Sequence, residues 1–105
     1  MEQIKIILNA YGNKIETSTV EAEPIKFQGF DDFQFYIHRS YGSSEMLEFG
    51  WTITEKSTGL SFIQGHFTTR EETIKMAEKK LSQISPEKLK ARIEQTIKIY
   101  GIVND

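Results

Sequence analysis

Apolar and polar positions alternate along three stretches of the chain with the period of a half-buried strand. Ile4, Ile6 and Leu8 alternate with Lys5 and Ile7; Phe33, Phe35 and Ile37 alternate with Gln34, Tyr36 and His38; Leu47, Phe49, Trp51 and Ile53 alternate with Glu48, Gly50, Thr52 and Thr54. Between the first two stretches, Asn9 to Asn13 has turn chemistry. Lys14 to Glu21 is rich in β-branched residues yet strongly polar, which suits an edge strand. Pro24 interrupts that pattern, leaving Ile25 to Phe27 as a short extended piece.

Lys56 to Gly59 reverses the chain into a further strand over residues 60–67. A three-residue loop from Ser57 to Gly59, with Gly59 left-handed at a bulge, is the common solution for such a turn. It places Ile53 opposite Ile63, Trp51 opposite Gly65 and Phe49 opposite Phe67. A four-residue loop would instead set Trp51 opposite Gln64 and turn Ile63 to the other face.

The period then changes to that of a helix. Thr68 with Glu71 and Thr69 with Glu72 form two overlapping capping boxes, and Ile74, Ala77, Leu81 and Ile84 follow at helical spacing. Ser85-Pro86 closes this helix and opens a second one, with Ser85 as cap and Pro86 in the first turn. Leu89, Ile93, Ile97 and Tyr100 make its apolar stripe, and Gly101 ends it. The pattern predicts an α+β fold in one domain of 105 residues: an antiparallel sheet of four or five strands (1–68), then two C-terminal helices (69–100) packed on one face.

Composition narrows the setting. With 38% hydrophobic and 27% charged residues the chain resembles an ordinary globular protein. The longest apolar run, Ile6 to Leu8, is too short to cross a membrane, and Glu2 and Lys5 interrupt any signal-peptide core. The absence of cysteine excludes disulfides and thiolate chemistry and fits a cytoplasmic protein. The Ile-, Lys- and Glu-rich usage is of the kind that AT-rich bacterial, phage or mobile-element genomes favour.

Charge is unevenly divided. Residues 1–68 carry five Lys or Arg against nine Asp or Glu, whereas 69–105 carry eight against six. The basic residues Lys79, Lys80, Lys88, Lys90 and Arg92 interleave with Glu78, Glu87 and Glu94, the mark of a solvated helical face.

Candidate chemistry is sparse. His38 and His66, with Glu48 nearby in this register, have the residue types of a two-His, one-carboxylate metal site but not its ligand spacing, so neither a metal nor a cofactor is expected. Ser43 and Ser44 have no nucleophile elbow around them. Asp31-Asp32 reads as a turn cap, and no phosphate-binding loop is present. Catalysis is therefore not expected. Binding is: the outward face of the three central strands would present Tyr36, His38, Thr52, Thr54, Phe62, Gln64 and His66, polar groups interleaved with two aromatics, the alternative being that the N-terminal strands or the second helix cover part of this face.

One 30-residue stretch, GWTITEKSTGLSFIQGHFTTREETIKMAEK (50–79), resembles the three-strand-plus-helix pattern of integrase arm-binding and plant ethylene-response DNA-binding domains. Trp51, the Gly59 turn, Gly65-His66-Phe67, Thr69, Glu72 and Ala77 carry the likeness. That resemblance implies a sheet face lying in the DNA major groove. Strands 47–55 and 60–67 contain no Lys or Arg, however, and phosphate contacts dominate DNA affinity. The expectation is thus a small non-catalytic interaction or accessory module, with a protein partner or a second copy on the sheet face and no membrane partner. A nucleic-acid-binding module using that same sheet is the alternative.

Overall fold

The computed structural model describes residues 1–40, 50–65 and 68–105. Five strands, β1 (Glu2–Tyr11), β2 (Lys14–Ile25), β3 (Phe35–Arg39), β4 (Trp51–Glu55) and β5 (Ser61–Gln64), precede two helices, α1 (Arg70–Leu81) and α2 (Pro86–Tyr100). The sheet is antiparallel throughout, in the order β1-β2-β3-β4-β5.

The helix-covered face is apolar. Phe35, Ile37, Ile53 and Ile63 project from the strands into a cluster with Ala77, Leu81 and Leu89 of the helices. Between β2 and β3 the chain makes two successive turns, Phe30 N–H to Phe27 C=O and Phe33 N–H to Phe30 C=O, each 3.1 Å. That three-residue rhythm brings Phe27, Phe30 and Phe33 to the same side, and all three are buried in this cluster. Phe27 meets Phe35 edge-on at 5.5 Å between ring centroids, a favoured aromatic geometry. The Asp31-Asp32 pair occupies the second of these turns.

The strand β2 runs straight through Pro24, which the sequence pattern treats as a break. Pro24 sits opposite Tyr36, past the last β1 pair, Ala22 with Glu2. There β2 has a neighbour on one side alone, and such an edge tolerates a residue without an N–H.

The β4–β5 hairpin corrects one expectation and keeps another. Its loop has four residues, Lys56 to Gly59: Glu55 N–H donates to Leu60 C=O at 3.0 Å, and Gly59 is left-handed at φ 70. Thr54 accordingly faces Ser61, yet Ile53 still faces Ile63, because Phe62 is an extra residue in β5. This bulge undoes the slip that the longer loop introduces. Gly65 N–H donates to Trp51 C=O at 2.9 Å. A Cβ on Gly65 would stand 2.7 Å from that carbonyl oxygen and would also meet Thr68 Oγ1, so the position excludes any side chain.

Of the two capping boxes, the helix uses Thr69 with Glu72, both reciprocal bonds being present. Thr68 turns inward to Thr73 Oγ1 at 2.8 Å. Ser85 caps α2 with Pro86 in its first turn, and Leu89 is its buried residue. No helix among the described residues is long and apolar enough to cross a membrane.

The sheet curls until β1 reaches the opposite end. Ile7 N–H donates to Gly59 C=O at 2.9 Å. The segment after α2 completes the closure. Asn104 Oδ1 accepts from Lys5 N–H at 2.8 Å, while its Nδ2 donates to Lys5 C=O at 2.7 Å and to Lys56 C=O at 2.8 Å. One carboxamide thus pairs with a strand residue as a neighbouring peptide group would, and ties β1 to the β4–β5 turn.

Candidate functional site

The concave face of the curled sheet is lined by Tyr36, His38, Thr52 and Thr54, all buried. They are four of the residues expected to form an exposed docking face. The covered alternative holds for these four, because the β1–β2 hairpin folds over them: Ile4, Ile6 and Ala22 pack against Tyr36, with Leu8 and Val20 at the margin. Gln64, beside Thr52 in the ladder, remains exposed at the edge of β5. Phe62 is on the other face altogether. As the bulged residue it turns toward the helices, its ring 5.4 Å from that of Phe35 and covered by the Lys80 ammonium at 4.5 Å. His66 and Glu48 lie outside the described residues, as do Phe49, Phe67, Ser43 and Ser44.

Buried polar groups on this concave face are satisfied by one another, as such groups must be. His38 Nδ1 lies 2.8 Å from the Arg39 carbonyl oxygen, which can only accept, so Nδ1 carries the proton. Nε2 is then the acceptor for the Thr54 hydroxyl at 2.7 Å. Burial pushes the imidazole below its usual pKa, with the Arg39 carbonyl acting in the opposite direction. The lowered pKa favours the neutral ring near pH 7, and both nitrogens are engaged within the protein. Alongside, Ser40 Oγ donates to Gly65 C=O at 3.0 Å, which leaves the Thr52 hydroxyl to donate to Ser40 at 2.8 Å. Tyr36 Oη donates to Glu2 at 2.8 Å; burial first, and this carboxylate second, raise the phenol above its usual pKa. A cavity of about 280 Å³ lies between this face and β1, bordered by Leu8, His38, Thr54 and Gln64.

A larger concavity lies outside the sheet. A groove of about 740 Å³ runs between α2 and the ends of β3 and β4. That is within the size range of sites that enclose a small ligand or a peptide segment. Phe33, Ile93 and Ile102 supply its apolar surface, and Glu87, Lys90 and Glu94 form the helical bank. These three recur at the i, i+3, i+7 spacing of one helix face. The opposite bank carries Asp32, Gln34 and Lys56. Glu55 also borders the groove, but its carboxylate is turned into the hairpin, accepting from Ser57 N–H at 2.9 Å, from the Ser57 hydroxyl at 2.8 Å and from Thr58 N–H at 3.0 Å. It holds the turn that Asn104 clamps.

The sequence pattern presents Glu87, Lys90 and Glu94 as part of a solvated face. Their common side was readable from spacing. Their position beside Phe33, 54 to 61 residues earlier in the chain, was not. Among the described residues no group of three or more His, Asp or Glu is arranged to hold a metal ion.

Comparison of the chain with protein-family models, with curated proteins and with solved structures returned no match.

Proposed function

We propose that this protein is a small non-catalytic interaction module, accessory or regulatory in role, and that it docks a segment of a protein partner in the groove along α2. The groove itself carries this reading: it combines size, an apolar floor and a polar rim, the combination that recognition sites use.

Binding DNA through the central strands is the weaker reading. Thr52 and Thr54, which would have to approach base edges, are buried beneath β1 and β2, and their strands carry no basic residue.

Selection from a random peptide display library on the immobilised protein tests the proposal, with Ile102→Ser as the counter-target. Ile102 borders the groove and is 57% exposed, so its truncation leaves the fold intact. Peptides enriched on the parent and lost on the variant are the expected result. Failure to enrich any, or equal retention by both proteins, refutes the groove as the docking site.

A further inference from the structure

From the charge around this groove we infer that its occupant is a peptide segment with an apolar anchor flanked by Lys or Arg; this rests on the docking role proposed above. Five carboxylates border the groove, Asp32, Glu55, Glu87, Glu94 and Asp105, against the two ammonium groups of Lys56 and Lys90. Glu55 is committed to its own turn, but Asp32, Glu87, Glu94 and Asp105 are exposed. The ion pair recorded among the described residues, Arg70 with Glu23 at 3.0 Å, lies elsewhere. The rim therefore projects negative potential over an apolar floor, which favours a cationic partner and disfavours phosphate-bearing ones.

Geometry sets the scale of the occupant. Glu87 and Glu94 are separated by seven residues along α2, roughly 10 Å of helix axis at about 1.5 Å per residue. An extended peptide covers that distance in about three residues at roughly 3.3 Å each. The fit is a short segment: one or two apolar side chains lie against Phe33, Ile93 and Ile102, and basic side chains on either side reach Glu87 and Glu94. The anchor supplies affinity through burial, and the charges supply selectivity and on-rate.

Three capped hexapeptides make the test, each followed by amide NMR titration of the intact protein. One has two leucines flanked on each side by two lysines, the second replaces the lysines with glutamates, and the third replaces the leucines with serines. The first peptide is expected to shift amides around Glu87 to Glu94 and Ile102, and to bind about tenfold or more tightly than either of the others. Its affinity is expected to fall severalfold as ionic strength rises from about 0.02 M to about 0.5 M. The double variant Glu87→Gln and Glu94→Gln is expected to weaken it similarly, while the melting temperature falls by no more than a few degrees, since Glu87 lies in the first turn of α2.

If the lysine and glutamate peptides bind alike, and both are lost in Ile102→Ser, the charge inference fails while the groove remains a docking site. If the serine peptide binds as well as the leucine peptide, the apolar anchor is wrong. If none of the three perturbs the groove, both the inference and the docking site are overturned.

Discussion

The two faces of the central sheet come from the same strands and are held by different physics. Toward the helices, Phe35, Ile37, Ile53 and Ile63 pack among other apolar groups. Toward β1, the alternate residues Tyr36, His38, Thr52 and Thr54 are as deeply buried, but they are secured by hydrogen bonds. On the first face stability follows area and shape, so packing defects dominate. On the second it follows completeness, because a buried donor or acceptor that loses its partner costs more than the bond is worth. Burial alone does not say which rule governs a residue.

The largest effect is expected on the apolar face. Phe35 is 1% exposed and touches the rings of Phe27, Phe33 and Phe62. Phe35→Ala should destabilise the protein by about 3–5 kcal/mol in urea denaturation. A loss below that of the polar-face variants would reverse the ranking of the two faces.

Thr54→Val is the matching change on the concave face, since it preserves shape and removes the hydroxyl that donates to His38 Nε2. The expected cost is about 1–3 kcal/mol, from the unpaired ring nitrogen instead of lost volume. Stability equal to the parent would mean that the hydrogen bond contributes nothing beyond packing.

The smallest effect is a dependence on pH that the apolar face does not share. In the folded protein His38 titrates below its ordinary value of 6.5 because it is buried. Below that pH the unfolded chain binds more protons, so stability is fully present above about 6.5 and is lost as pH falls toward the lower folded value. Melting temperatures from about pH 7 to about pH 5 should therefore decline less steeply in His38→Gln than in the parent. Identical slopes would remove His38 as the source.

Much of the architecture was legible in local pattern. Alternation located β1, β3 and β4, the turn at Lys56 to Gly59 located β5, the capping residues located α1 and α2, and Ile53 was correctly set against Ile63. That last agreement came by a different route, a four-residue loop offset by the Phe62 bulge. A bulge conserves the facing of residues beyond it while adding one residue to the strand, so alternation taken over a short β5 cannot locate it. It is also why Phe62, read as outward-facing, lies beneath Lys80.

Secondary structure and its apolar stripes follow from neighbours a few residues apart: steric preference, capping and periodicity act within one or two turns or along one strand. Those terms were sufficient to set the α+β order and the face that the helices cover. Which surface of the sheet meets solvent depended instead on contacts across the whole chain. Lys5 pairs with Asn104, Ile7 with Gly59, and Ile4 and Ile6 lie against Tyr36. An alternating strand exposes its polar side equally well to water or to a hydrogen-bonded interior, and local patterning is identical in the two cases. Curling of the sheet chose the interior, and the groove beside α2 stayed on the outside of the fold.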